Sequence, residues 1–120
     1  MKVTDLMVGD WVSYCGFYNK VICVGQKVSM YNGKGTEFTT DPEYIRPIPL
    51  TEEILVKNGF DKDERSKYFH LYTLDMEGHW DFDISWSSQN GFSYEDIKLT
   101  YVHQLQHLLR LCGIEKEITL

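Results

Sequence analysis

The stretch Tyr101-Val102-His103-Gln104-Leu105-Gln106-His107-Leu108-Leu109 sets two histidines four residues apart. At that spacing two imidazoles on one helix can grip a metal ion. A zinc hydrolase helix follows its first histidine with a glutamate that activates the metal-bound water, and here that position is Gln104. An amide cannot act as that base. Arg110, one turn beyond His107, adds positive charge where a dication would sit. His103 and His107 are thus the only metal-ligand candidates, no cofactor is expected, and a metal-dependent hydrolase stands as an alternative function only.

Asp81 and Asp83 are two residues apart, about 7 Å on one face of a strand, a separation open to paired carboxylates. Alternating charges on the wet side of a hairpin serve solubility equally well, so no catalytic residue is assigned. Cys15, Cys23 and Cys112 are odd in number, lack a CxxC spacing and lie in apolar-patterned segments, which predicts buried thiols, with no disulfide framework. There is no GxSxG elbow, and Asn32-Gly33-Lys34-Gly35 lacks the spacing of a phosphate-binding loop. The remaining signal is aromatic. Trp11, Tyr14, Phe17, Tyr18 and Tyr31 crowd the first strands and turns. With Trp11 assigned to the core, Tyr14, Phe17 and Tyr18 are the candidates for a partner-binding surface.

The elements that would position these residues follow from punctuation and periodicity. Residues 1–49 break into five short apolar runs separated by turn residues: Trp11–Cys15, Lys20–Gly25, Lys27–Tyr31, Thr36–Thr40 and Glu43–Ile48. Five such strands can bury a core by closing into a small barrel. Pro47 and Pro49 end that unit. A helix over about 51–58 follows, with Thr51 as N-cap, Glu52 and Glu53 at the positive end of the dipole, and Asn58-Gly59 as the stop. A hairpin over about 67–87 turns at Met76-Glu77-Gly78. Its second strand puts Trp80, Phe82, Ile84 and Trp86 on one face, a surface for core or self-association, and His79, Asp81, Asp83, Ser85 and Ser87 on the other. A helix over about 100–112 has an apolar arc of Tyr101, Val102, Leu105, Leu108, Leu109 and Cys112, which leaves His103, Gln106, His107 and Arg110 on the exposed side. Gly113 ends it, and the alternation of Ile114, Lys116 and Ile118 predicts a terminal strand over about 114–120. Residues 61–67, Asp-Lys-Asp-Glu-Arg-Ser-Lys, read as a solvated loop.

Leu6-Met7-Val8-Gly9-Asp10-Trp11-Val12 resembles the opening of many SH3-like small barrels. The fold expected is therefore α+β: a five-stranded SH3-like barrel, residues 1–49, packed on a helix, hairpin, helix and strand unit, residues 50–120. Taken with Ile45–Phe60 and Tyr101–Ile118, the opening also resembles a family of short uncharacterised proteins from gut bacteria, their phages and mobile elements. That resemblance implies a setting and carries no catalytic or ligand residues with it.

Charge narrows the partners. Residues 1–50 carry five basic and five acidic side chains, so the net charge of −6 lies wholly in residues 51–120. Nothing resembles the basic footprint that neutralises phosphates, so nucleic acid is a disfavoured partner and a nucleic-acid accessory role is a second alternative. No run approaches the roughly 20 apolar residues of a membrane span, and a cytoplasmic protein is expected. The leading expectation is a non-enzymatic binding or accessory protein that engages another protein.

Overall fold

The computed structural model describes residues 1–76 and 80–120. The chain divides into two units, one of Met1–Pro49 with Tyr101–Lys116 and one of Leu50–Thr100 with Glu117–Leu120.

In the first unit five strands form one antiparallel sheet: β1 (Trp11–Tyr14), β2 (Phe17–Val24), β3 (Val28–Tyr31), β4 (Glu37–Thr40) and β5 (Arg46–Pro47), in the order β4-β3-β2-β1-β5. The SH3-like barrel expected from the sequence is corrected here, because the sheet is open and β4 and β5 are its two edges. β5 matches β1 at only two positions, Val12 with Pro47 and Ser13 with Arg46. Pro47 has no N–H with which to extend the ladder. The inner face packs Leu6, Val12, Val21, Val28, Met30 and Ile45, flanked by Tyr14, Val24 and Phe38. A bulge between Val21 and Cys23 shifts the phase of β2, so Val24 resumes the inward face and Cys23 is exposed. Cys15 is exposed too and Cys112 half-buried, which corrects the expectation of buried thiols.

The helix α2 (Val102–Leu111) belongs to this unit, whereas its place in the sequence groups it with residues 50–120. Val102 N–H donates to Ile48 O at 2.8 Å and Pro49 bridges Tyr101, which brings the chain back beside its own β5 region. At its end Gly113 N–H donates to Arg110 O and Ile114 N–H to Leu109 O, closing the last turn as the glycine stop requires.

The second unit carries a second open antiparallel sheet: β6 (Asp61–Ser66), β7 (Phe69–Met76), β8 (Trp80–Ser87), β9 (Gly91–Tyr94) and β10 (Ile97–Leu99), in the order β10-β9-β8-β7-β6. The chain is mostly β, and the α+β expectation is corrected. Three strands were hidden from periodicity. β6 has all six side chains exposed, so it has no apolar alternation, yet it pairs with β7 from Asp61–Thr73 to Ser66–Phe69. Its charges suit an edge strand, with Lys62 paired to Glu52 at 2.7 Å and Arg65 to Asp63 at 2.7 Å. β9 and β10 form a hairpin where the sequence predicts a turn leading to a short extended or irregular segment. Phe82 and Ile84 are buried as expected and Trp86 stacks on His70 at 4.7 Å. The side chain of Trp80 and the turn at Glu77-Gly78, with His79, lie outside the described residues.

The helix α1 (Glu52–Lys57) is capped by Thr51, whose Oγ1 accepts from Ile54 N–H at 3.3 Å. The terminal strand is the last correction, for residues 114–120 have no regular structure. The apolar spacing there comes from Ile114 and Ile118, both buried. Within the second unit, the buried amide of Asn58 substitutes for a neighbouring strand: its Oδ1 accepts from Thr119 N–H at 2.7 Å and its Nδ2 donates to Thr119 O at 2.8 Å. The same Nδ2 donates to Ile54 O at 2.7 Å. Asn58→Ala removes all three bonds of a buried amide, so a loss of about 2–4 kcal/mol is expected by urea unfolding. A loss below about 0.5 kcal/mol, the scale of an ordinary surface change, contradicts this role.

Candidate functional site

The two histidines are not a free ridge. Within the first unit, three residues on the polar side of α2 fasten the segment Met7–Trp11. Gln106 Oε1 accepts from Trp11 N–H at 2.8 Å and its Nε2 donates to Gly9 O at 2.9 Å. His107 Nε2 lies 2.7 Å from Asp10 Oδ2, and Arg110 Nη2 donates to Val8 O at 2.9 Å. Asp10 has no solvent exposure. Its Oδ2 also accepts from Met7 N–H at 2.8 Å, while Oδ1 has no hydrogen bond and faces Arg110 Nη1 at 3.9 Å. A carboxylate only accepts, so His107 carries its proton on Nε2 and that nitrogen is closed to a metal. Gly9 sits at φ +94°, a backbone conformation that favours glycine, and a Cβ there would come within 2.7 Å of Arg110 Nη2, which the flexible guanidinium end can yield to only by shifting from its place.

His103 is 6% exposed, its Nδ1 buried without a partner, and its ring stacks on Tyr101 at 5.8 Å. The exposed histidine side expected from the sequence is thus corrected: the polar side of α2 is largely covered, and Gln106 is buried as well. His103 and His107 meet edge to face at 5.6 Å beside a cavity of about 480 Å³ that Asp5, Tyr101 and Gln104 also line. Among the described residues no group of three or more His, Cys, Asp or Glu could hold a metal ion.

Burial pushes the His103 imidazole below its usual pKa; Asp10 and Asp5 oppose that and His107 adds to it. As pH falls through the unfolded value near about 6.5, the unfolded chain takes up a proton that folded His103 resists. The stability present above that pH is therefore lost as pH falls toward the folded pKa. Urea unfolding of wild type and His103→Gln between pH 7.5 and 5 on the pH scale should show wild type losing stability relative to the variant. A difference independent of pH contradicts it.

Asp81 and Asp83 border a shallow cavity of about 300 Å³ with Leu71, Ser85, Tyr94 and Glu95. Thr73 Oγ1 donates to Asp83 Oδ1 at 2.8 Å. Three like-charged carboxylates, Asp81, Asp83 and Glu95, thus share this lining with Tyr94.

The third place is the aromatic one. The sequence predicts a turn at Gly16–Asn19, but the turn is Cys15-Gly16, with φ of +51° and +82°, and Tyr14 pairs directly with Phe17 across it. Phe17, Tyr18 and Asn19 therefore belong to β2. Tyr14, Phe17 and Tyr18 come together in one groove of about 420 Å³, with Cys15, Asn19, Asn32, Lys34 and Phe38 completing its wall. Phe17 is 71% exposed and Tyr18 51%, whereas Tyr14 packs on Phe38 with ring centroids 5.1 Å apart and joins the groove to the core. Opposite, Asn32 Oδ1 accepts from Lys34 N–H at 2.8 Å and from Thr36 N–H at 3.3 Å, folding the β3–β4 turn that presents Lys34. Sequence patterning misses Asn19, whose place on β2 follows from the shorter turn, and Lys34 and Phe38, which the pairing of β2 with β3 and of β3 with β4 brings beside it.

Comparison of the chain with protein-family models, with curated proteins and with solved structures finds no match. Among the described residues no helix is long and apolar enough to cross a membrane.

Proposed function

We propose that this chain is a non-enzymatic protein-binding or accessory protein, of phage or mobile-element origin, that holds an extended segment of another protein in the groove of Tyr14, Phe17 and Tyr18. The observation that carries the reading is that these three aromatic residues, two of them mainly exposed, line one groove. A large aromatic ring left in water is stabilised when a partner covers it, and such residues dominate binding energies at interfaces. The rigid two-residue turn holds Tyr14 and Phe17 at a fixed spacing, so little ordering cost falls on binding. Asn19, Asn32 and Lys34 add the few polar groups that orient a peptide in an otherwise apolar groove. The phage or mobile-element setting rests on the resemblance of the three sequence blocks alone.

The test is recovery of partner by tagged wild type and by the Phe17→Ala/Tyr18→Ala variant from cells that carry the gene. Both side chains are exposed, so folding stability should change by no more than about 0.5 kcal/mol. Specific partner recovery should fall at least about tenfold, the loss of roughly 1.4 kcal/mol. Equal recovery by the two proteins overturns the reading.

A further inference from the structure

One buried atom in the groove is left unsatisfied by the fold. Asn19 is 2% exposed, its Nδ2 donates to Phe17 O at 3.0 Å, and its Oδ1 is buried without a hydrogen-bond partner. Buried acceptors are ordinarily paired, and this one belongs to a residue that lines the groove, so a donor brought by a partner that displaces the covering side chains would satisfy it. Among the described residues, Lys34, on the β3–β4 turn, is the only charged side chain lining the groove. It stands as a local cation on a chain of net charge −6. The groove therefore offers three separate complementarities: an aromatic wall for an apolar side chain, an acceptor for an N–H, and an ammonium for a carboxylate.

Resting on the binding function proposed above, we propose that the groove captures the C-terminal residue of its partner protein. The last residue of a chain supplies all three features at once. Its apolar side chain lies against Tyr14, Phe17 and Phe38, its backbone N–H donates to Asn19 Oδ1, and its terminal carboxylate meets the Lys34 ammonium. An internal acidic segment would have to divide those features among several residues, and the groove of about 420 Å³ lies near the small end for ligand sites. Capture of a terminal carboxylate is an established mode of peptide recognition, and a hydrogen bond with charge on both partners is roughly twice as strong as a neutral one.

The test uses the full chain and dye-labelled heptapeptides ending in Phe, Leu, Val or Trp, read by fluorescence anisotropy. Each is made as free acid, as C-terminal amide and as free acid N-methylated at the last residue, with an amidated peptide carrying an internal Asp for comparison. At least one free acid should bind about tenfold more tightly than its amide. Lys34→Ala, at an exposed turn position, should abolish that difference, and N-methylation should weaken binding to wild type several-fold. Equal binding of acid and amide, equal binding of the internal-Asp peptide, indifference to N-methylation, or no binding by any peptide overturns the proposal. If any of these is found while partner recovery still depends on Phe17 and Tyr18, the C-terminal assignment fails and the groove reading survives.

Discussion

Asp10 is a carboxylate with no exposure, and it is secured by residues almost a hundred positions away in the chain. A buried charge without partners is strongly unfavourable, so the segment Met7–Trp11 takes its shape only when His107 and Arg110 are present to meet it. Gln106 completes the clasp by acting as a peptide group: it takes the Trp11 N–H and gives an N–H to Gly9 O. Gly9 N–H to Val21 O and Val21 N–H to Asp10 O then lock the same segment onto β2. The first unit is therefore made from both ends of the sequence. Closing so long a loop costs entropy that grows only slowly with its length, which four side-chain hydrogen bonds and the buried face of α2 can offset.

The groove depends on that clasp through β1. Trp11 is the first residue of the strand and Tyr14 the last, so the clasp fixes the register at one end while the Cys15-Gly16 turn fixes it at the other. Tyr14 then lies on Phe38, between the apolar core and the open groove. A one-residue slip would turn Tyr14 away from Phe38 and Asn19 away from the groove, because strand side chains alternate in face. Polar fastening at one end of β1 and an exposed aromatic surface at the other are parts of one arrangement.

What the sequence made legible was local. Thr51 caps α1, the glycine after Cys112 ends α2, and β1 to β4 lie close to their apolar runs, because each is decided by neighbouring residues. Tyr14, Phe17 and Tyr18 could be named from their crowding, although their shared groove with Phe38 and Lys34 needed the pairing of β3 with β4. The failures arose where distant partners replaced local patterns. Helical periodicity put His103 and Gln106 in water, since it cannot see a polar segment that buries the polar side of a helix. β6 has no apolar residue to betray it, and the terminal segment reads like a strand because Ile114 and Ile118 are buried at even spacing in a stretch without regular structure. Barrel closure is a question of edge strands meeting, and the two residues of β5 contain no periodicity from which to judge it.

The most direct test of this arrangement is amide hydrogen exchange, residue by residue, in wild type and Gln106→Leu. The substitution puts an apolar side chain of similar size in place of the amide and removes both bonds to Gly9 and Trp11. If the clasp makes the two ends of the chain one unit, exchange at Trp11 and in the amides of Leu108 and Leu109 should accelerate together by the same factor, about tenfold or more. Acceleration confined to α2, with Trp11 as protected as before, would contradict it.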